Sequence, residues 1–174
     1  MIILVSDTSV LIDLERGGLL ETVFDAGLTL IVPDILYERE LEGDIGPYLR
    51  RLGLGVVSLT ATEVQVAQEV RTERPGLSLP DCFALSCASR QNHKLVTGDG
   101  LLRKVAGKRL GQVYGLLWLL DQVVDSGKIP VDVLREGLSK VADHPRTRLP
   151  ADEVRKRLEA WKTHSSMHFD DHRS

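Results

Sequence analysis

Acidic residues recur where predicted strands of this 174-residue chain give way to helices. Carboxylate oxygens suit Mg²⁺ and Mn²⁺ better than zinc. Such ions activate water and stabilise negative charge during phosphodiester hydrolysis, so the pattern is compatible with a metal-dependent hydrolase. The residues concerned are Asp7, Glu38, Glu40, Asp81 and Asp99.

Each of these residues also has an ordinary structural role open to it. Asp7 can cap a helix, Asp81 can complement a helix dipole, and Asp99 between two glycines is typical of a turn. Glu38 and Glu40 can be exposed helix surface. These structural roles would not be sufficient if the carboxylates lay close together in the fold. Two carboxylates 4 Å apart repel by about 4 kcal/mol at an effective dielectric constant near 20. Carboxylates that meet therefore need a cation or a shared proton.

The elements that must position these residues follow from short apolar runs. Strands that alternate with helical patterns predict an α/β fold with a parallel sheet and helices on both of its faces. Active sites of such folds lie at the carboxyl ends of the strands. The predicted strands cover residues 2–6, 28–32, 56–59 and 94–97, with residues 112–114 as a candidate fifth strand.

Helix signals separate and follow the strands. Residues 60–63 fit a capping box that opens a helix to about residue 71. Residues 78–81 open another helix that ends near residues 90–92, and Pro33 with Asp34 opens one that runs to about Leu41. The other predicted helices cover residues 10–14, 19–25, 101–105, 116–124, 131–141 and 151–161.

Four ordered segments carry the acidic residues. They read VSDTSVLI at 5–12, VPDILYEREL at 32–41, LSLPDCFALSCA at 77–88 and LVTGD at 95–99. Over roughly residues 2–116 their order and spacing resemble the PIN-domain family, and within it the VapC-like toxins of type II toxin–antitoxin systems. The resemblance implies a three-layer α/β/α sandwich with a central parallel sheet plus additional C-terminal helices. It also implies RNA cleavage with Mg²⁺ or Mn²⁺, an antitoxin partner and a homodimer.

Carried over by position, the resemblance implies a catalytic set of four carboxylates. They are Asp7, Glu40, Asp81 and Asp99, and the metal ligands among them are Asp7, Asp81 and Asp99. Glu38 lies two residues before Glu40, about 200° around a helix, so both cannot face the same way. Glu40 followed by Leu41 matches the family's motif better, and Glu38 stays open as the alternative.

Further residues near these carboxylates are predicted to contact the substrate. Thr8 and Ser9 can hydrogen-bond a phosphate or instead satisfy helix N–H groups. A basic cluster after Asp99 suits an RNA backbone, because phosphate contacts supply much of RNA affinity, although a solvated helix face explains it equally well. The predicted contacts are Ser9, Thr97, Arg103 and Lys104; Lys108 and Arg109 complete the cluster, to which Arg71 and Arg74 could add.

Charge, hydropathy and cysteine content limit the class and the cellular location that we expect for the protein. The net charge of −3 is unlike that of a general DNA-coating protein. No apolar run reaches the length of a membrane span, and the N-terminus lacks the basic region of a signal peptide, so we expect a cytoplasmic protein. Cys82 and Cys87 match no metal spacing and are predicted to be buried thiols. We expect residues 1–145 to form the PIN-like nuclease domain and residues 146–174 a helical extension with a mobile tail.

The sequence favours a metal-dependent endoribonuclease, the toxin of a toxin–antitoxin pair. A catalytically weak PIN-like module that binds RNA or protein is the alternative. A haloacid-dehalogenase-type phosphatase is disfavoured, because such enzymes carry Asp-x-Asp after the first strand and residue 9 is Ser. One further pattern stays open: His164, His168 and His172 recur every four residues, a stripe that could bind a transition metal on a helix or belong to the polar tail.

Overall fold

The computed structural model describes the backbone of residues 1–170 and the side chains of residues 1–162. The histidine stripe at residues 164, 168 and 172 lies outside the described side chains. The strands are β1 (Ile3–Ser6), β2 (Thr29–Pro33), β3 (Gly55–Val57) and β4 (His93–Val96). The helices are α1 (Thr8–Arg16), α2 (Leu20–Asp25), α3 (Asp34–Leu36), α4 (Gly46–Leu52), α5 (Ala61–Glu73), α6 (Leu79–Ala88), α7 (Gly100–Leu110), α8 (Leu116–Asp125), α9 (Val131–Asp143) and α10 (Ala151–Asp170), and a π-helical segment, Tyr37–Leu41, directly follows α3.

The described strands form one parallel sheet in the order β3-β2-β1-β4. Val5 of β1 pairs with Ile31 on one side and with Leu95 on the other. All three are buried. Strands of a parallel sheet are covered on both faces, which is why their residues are apolar throughout. The predicted α/β fold with a central parallel sheet is confirmed, and β1 carries Asp7 out of the middle of the sheet.

The candidate fifth strand is reduced to a single parallel bridge between Val96 and Tyr114. The Tyr114 N–H donates to the Leu95 carbonyl at 3.0 Å, and the Thr97 N–H donates to the Tyr114 carbonyl at 2.9 Å. This short pairing continues the edge of β4 by one residue. It fixes the backbone at Thr97, directly before the loop that holds Asp99.

Two features of the segment between β2 and β3 were not predicted. The predicted helix over residues 34–41 exists, but its second half is π-helical, with the wider turn that this conformation gives. Helix α4 begins at Gly46 with a proline in its first turn, a position that Pro tolerates well. A Cβ on Gly46 would lie 2.8 Å from the Tyr37 ring, so only glycine permits this close approach.

Helix α6 is buried on all sides over residues 82–88 and packs on α3, α5, α7 and strands β1, β2 and β4. A helix that is apolar around its whole circumference belongs in the interior. Cys82 and Cys87 are confirmed as buried free thiols, and burial raises the pKa of each to about 11. The N-terminus of α6 carries Asp81.

The chain divides into two compact units. The first, Met1–Leu11 with Leu28–Leu116, contains the sheet and all the predicted catalytic carboxylates; the second comprises Ile12–Gly27 and the chain from Leu117 onward. The predicted domain boundary at residue 145 stays a prediction. None of the described helices combines the length and hydropathy that crossing a membrane requires.

Close helix packing holds the second unit together. Gly137 of α9 lies so near Leu19 that a Cβ there would come within 2.5 Å of the Leu19 Cγ. Leu19 is only 1% exposed, so it has little room to move away. On the same unit, Arg157 of α10 donates to both carboxyl oxygens of Asp121 of α8, at 2.9 and 2.7 Å.

We therefore expect opposite effects from two glycine-to-alanine substitutions in helices. Gly137→Ala lowers the free energy of unfolding by about 1–3 kcal/mol, because the added methyl overpacks the Leu19 contact. Gly107→Ala in α7 meets nothing within 4 Å, so it raises the free energy of unfolding by about 0.5–1 kcal/mol through helix propensity. Urea denaturation of both variants checks this, and stabilisation by Gly137→Ala would contradict the packing described.

Candidate active site

Asp7 lies at the carboxyl end of the central strand and is only 2% exposed. Its Oδ1 accepts hydrogen bonds from the Ser9 hydroxyl at 2.7 Å and from the Val10 N–H at 3.3 Å. Its Oδ2 accepts a hydrogen bond from the Thr97 hydroxyl. The bond from Val10 helps to cap α1, so a structural role for Asp7 exists beside any chemical one.

The two hydroxyls that bind Asp7 also hold the loop after β4. Ser9 Oγ accepts the Gly98 N–H at 3.0 Å, and Thr97 Oγ1 accepts the Asp99 N–H at 3.0 Å. Each hydroxyl is therefore a donor to Asp7 and an acceptor from the loop. Asp7 and Asp99 are linked in this way across the ends of two adjacent strands.

Burial raises the pKa of Asp7 to about 6, because removing the carboxylate from water disfavours its charged form. The hydrogen bonds from Thr97, Ser9 and Val10 oppose this shift, and the negative charge of Asp81 adds to it. Asp7 and Asp81 are thus close enough for their charges to interact.

Asp81 is half-buried in the first turn of α6 and forms a capping box with Ser78. The Ser78 N–H donates to Asp81 Oδ2 at 3.3 Å, and the Asp81 N–H donates to Ser78 Oγ at 3.2 Å. Burial raises the pKa of Asp81, and the charge of Asp99 raises it further. Asp7, Asp81 and Asp99 therefore form a chain of mutually repelling carboxylates.

Asp99 is the N-cap of α7 and is exposed. Its Oδ1 accepts the Leu102 N–H at 2.8 Å. The capping bonds of Asp81 and Asp99 each use one carboxyl oxygen, Oδ2 and Oδ1 respectively. The other oxygen of each side chain is not part of its cap.

Glu40 is brought to the end of β1 by the π-helical segment. The Thr8 hydroxyl donates to Glu40 Oε2 at 2.5 Å, and Thr8 directly follows Asp7. Glu38 is exposed on the same segment, and within the described residues the Thr8 bond goes to Glu40. The geometry favours Glu40 over Glu38, although the role of Glu40 stays a prediction. The contact between Thr8 and Glu40 was not predicted from the sequence. The only indication of it there is that Thr8 carries a hydroxyl and directly follows Asp7.

The predicted substrate contacts fall into two groups. Ser9 and Thr97 bind Asp7 as described, and their substrate contact stays a prediction. Arg103 and Lys104 are exposed on α7, on the chain just after Asp99. Of the other basic residues, Arg109 pairs with Glu73 at 3.1 Å and Arg71 donates to the Pro75 carbonyl at 3.5 Å.

The three aspartates fit a divalent cation in their chemistry. They offer only oxygen donors, which is the ligand type of Mg²⁺ and Mn²⁺. Burial, and to a smaller extent the charge of a neighbouring aspartate, raises the pKa values of Asp7 and Asp81, and a bound cation would offset both effects. As the side chains stand, no group of three or more His, Cys, Asp or Glu in residues 1–162 is arranged to hold a metal ion.

Helix α6 is anchored by an ion pair at the opposite end from Asp81. Arg90 Nε donates to Glu63 Oε2 at 2.7 Å, and Arg90 Nη2 donates to the Ser58 carbonyl at 2.9 Å. The Ser86 hydroxyl donates to the Glu63 carbonyl at 2.7 Å. Glu63 also closes the predicted capping box with Thr60, which is confirmed. These bonds join α5 to α6 and so fix the helix that carries Asp81.

A parallel sheet with acidic residues at its carboxyl end defines an α/β protein whose ligand site lies at that end. A family model described as a PIN domain matches residues 3–163, which is most of the chain. The chain therefore belongs to the PIN-domain family, and its α/β/α fold class is confirmed. PIN domains are in general nucleases that typically use divalent metal ions, which supports hydrolysis of phosphodiester bonds. No curated protein and no solved structure matches the chain closely enough to count as a relative.

The Glu63–Arg90 ion pair predicts a stability difference that depends on pH. The hydrogen bond from Arg90 lowers the pKa of Glu63 from 4.5 to about 2. The charged carboxylate therefore stabilises the fold above about pH 4.5, and this contribution is lost as the pH falls towards 2. Glu63→Gln keeps a side chain that can close the capping box but removes the charge.

We expect Glu63→Gln to lower the free energy of unfolding by about 1–2 kcal/mol at pH 7. The difference from wild type shrinks between about pH 4.5 and 2, because protonation removes the same charge from the wild type. Urea denaturation at several pH values measures it. A difference that stays constant down to the lowest pH at which the protein folds would contradict this assignment.

Proposed function

We propose that the protein is a Mg²⁺- or Mn²⁺-dependent endoribonuclease and the VapC-like toxin of a toxin–antitoxin pair. The observation that carries the proposal is the hydrogen-bond network in which Ser9 and Thr97 join the buried Asp7 to the loop of Asp99, with Asp81 near enough for its charge to act on Asp7. Membership of a family of nucleases supports it. The homodimer, the antitoxin partner and the cytoplasmic location belong to the same proposal.

In this proposal Asp7, Asp81 and Asp99 hold the metal. When bound, a divalent cation supplies activation of water and stabilisation of charge on the attacked phosphate. Asp7 is the fixed member of the set, because two hydroxyls and a backbone N–H hold its carboxylate in place. Asp81 and Asp99 contribute the oxygens that their helix caps leave outside the capping bonds. Surrounding bonds of this kind orient a ligand before the ion binds.

Glu40 has a different part in the proposal. Its Oε2 is engaged by Thr8, which leaves Oε1 to accept a hydrogen bond from water at the edge of the acidic site. A carboxylate placed in this way can orient the water and accept its proton as the phosphodiester is attacked. Glu40 is exposed, so its proton can pass to solvent afterwards.

Ser9, Thr97, Arg103 and Lys104 are the proposed substrate contacts. Arg103 and Lys104 lie on the first turns of α7 beyond Asp99, where cations can pair with the phosphates of RNA on either side of the scissile bond. Ser9 and Thr97 contribute through the hydroxyls that also hold Asp7.

The test is cleavage of a mixed single-stranded RNA pool with Mg²⁺, with Mn²⁺ and with EDTA. We expect cleavage with either metal and none with EDTA. Asp7→Asn should lower the rate by at least about 100-fold, because the loss of a ligand exceeds the usual effect of losing a residue that supports one. Wild type that is folded but inactive with both metals would contradict the proposal and favour a PIN-like binding module.

A matched pair of variants in the same assay isolates the role of Glu40. Glu40→Gln should lower the rate by about 100-fold, whereas Glu38→Gln on the same π-helical segment should change it by less than about twofold. Both substitutions remove one exposed charge, so a general electrostatic effect would slow the two variants equally. Equal rates for the two variants would overturn the choice of Glu40.

A further inference from the structure

The π-helical segment Tyr37–Leu41 carries Glu40 to Thr8, and its backbone differs from that of an α-helix. The Glu42 N–H donates to the Tyr37 carbonyl at 2.8 Å, five residues back along the chain. In an α-helix this bond would span four residues. Bonds of the wider kind are rare and occur mostly as a single turn within an α-helix. The turn therefore accommodates one more residue than an α-helical turn does.

Two buried leucines favour the wide turn. Leu36 and Leu41 are both buried, although they lie five residues apart. In an α-helix, which rotates by about 100° per residue, their side chains would point about 140° away from each other. The wider turn brings the two side chains nearer to one face. Glu40 directly precedes Leu41, so the burial of Leu41 also fixes the direction in which Glu40 leaves the segment.

Helix α4 holds the ring of Tyr37, the residue whose carbonyl accepts the wide bond. A Cβ on Gly46 would lie 2.8 Å from Tyr37 Cε2 and 2.5 Å from the Leu41 carbonyl oxygen, so the start of α4 lies closely against both ends of the segment. The Arg50 guanidinium lies over the ring, with Cζ 5.8 Å from the ring centroid, which is within the range of a cation–π interaction. Gly46 and Arg50 are four residues apart, so two groups on one face of α4 cover the Tyr37 ring.

These contacts are needed because an α-helical turn is the ordinary alternative for such a segment. In that alternative the Leu41 N–H, in place of the Glu42 N–H, would donate to the Tyr37 carbonyl. The residues after Tyr37 would then be rotated, and Glu40 would leave the segment in another direction. Tertiary contacts must hold the wide turn, and those of the Tyr37 ring act at the acceptor end of the bond that defines it.

We propose that Tyr37 and Arg50 are positioning residues that keep Glu40 in its contact with Thr8. They act through the wide turn and need no contact with the RNA or with the metal. The inference rests on the proposed function, to which it adds the residues that hold the carboxylate assigned to proton transfer. It also gives α4, the helix that the sequence did not predict, a part in the reaction.

The first measurement follows the carboxyl ¹³C signal of Glu40 by nuclear magnetic resonance, with the protein in EDTA. Thr8→Val removes the hydroxyl that donates to Glu40 and gives the reference position of this signal without the bond. We expect Tyr37→Ala to shift the signal to the reference position. Tyr37→Phe should leave it at the wild-type position, because Phe retains the ring. Tyr48→Ala is the matched control, because the Tyr48 ring has the same kind of contact, with Arg51 Cζ at 5.7 Å, within α4.

A milder pair of variants keeps the test decisive if Tyr37→Ala does not fold. Arg50 and Arg51 are adjacent and exposed, and each guanidinium lies over a tyrosine ring. Arg50→Gln and Arg51→Gln each remove one positive charge, but only Arg50→Gln removes the cation–π contact with Tyr37. We expect Arg50→Gln to shift the Glu40 signal part of the way to the reference position and Arg51→Gln to leave it unchanged. Circular dichroism melts show which variants are folded.

RNA cleavage with Mg²⁺ or Mn²⁺ measures the consequence for the reaction. We expect Tyr37→Ala to lower kcat by about tenfold at a nearly unchanged KM, because a displaced Glu40 impairs proton transfer and not RNA binding. In a Glu40→Gln background the same substitution should change kcat by less than about twofold, because the carboxylate that Tyr37 positions is then absent. Arg50→Gln should lower kcat by about threefold, as expected for loss of one exposed cation–π contact. Arg51→Gln and Tyr48→Ala should keep the wild-type kcat.

Two results would overturn the proposal directly. One is a Glu40 signal that stays at the wild-type position in folded Tyr37→Ala or, if that variant does not fold, in Arg50→Gln. The other is a loss of kcat on Tyr37→Ala that is as large in the Glu40→Gln background as in the wild-type background. Equal effects of Tyr37→Ala and Tyr48→Ala would also overturn it, because they would reflect general destabilisation.

Failure of the proposed function is seen separately, as a folded wild type that cleaves no RNA. The Glu40 signal then decides the structural part of the inference without any activity. A shift in Tyr37→Ala and Arg50→Gln, with none in their controls, supports these residues as the ones that hold Glu40. An unshifted signal overturns that assignment as well.

Discussion

Burying a carboxylate at the end of a parallel strand removes its charge from water and so disfavours the folded state. The groups at the carboxyl edge of this sheet are placed so that they offset part of this desolvation. Asp7 is 2% exposed at the end of the central strand, where burial raises its pKa to about 6. Hydroxyls from Ser9 and Thr97 compensate in part by donating to it, and they in turn accept the N–H groups of the loop after β4. The same few bonds therefore satisfy the buried acid, join two strand ends and set the position of Asp99.

In the proposed function, the structural and the chemical roles of the aspartates coincide. Asp81 and Asp99 cap α6 and α7, and Asp7 bonds the first turn of α1. Capping places each carboxylate at a helix N-terminus, where the helix dipole favours negative charge. It also brings the three acids to one edge of the sheet, where burial raises the pKa values of Asp7 and Asp81 and the charge of a neighbouring aspartate adds to each shift. The capping role of each residue is thus the means by which the fold would gather the carboxylates that the proposal assigns to a cation.

Local signals predicted much of this arrangement. The apolar runs gave the four strands to within about two residues, and the capping boxes at Thr60 and Ser78 needed only neighbouring residues. Two kinds of feature were not predicted: contacts between residues far apart in the sequence, and a helix that begins with residues more typical of a turn. Thr97 is 90 residues from Asp7 and Glu40 is 32 residues from Thr8, so no local pattern pairs them. Helix α4 was hidden because Gly46 and the proline after it are typical of a turn, although both are permitted at a helix start.

The central claim is that Asp7, Asp81 and Asp99 together bind a divalent cation. Binding of Mn²⁺ to the purified protein, followed by electron paramagnetic resonance of the free ion, tests it without any assumption about the RNA. The account predicts saturable binding that is lost in Asp99→Asn, a substitution at an exposed position that leaves Asp7 and its hydroxyl partners in place. Binding that Asp99→Asn leaves unchanged, or no saturable binding to folded wild type, would contradict it.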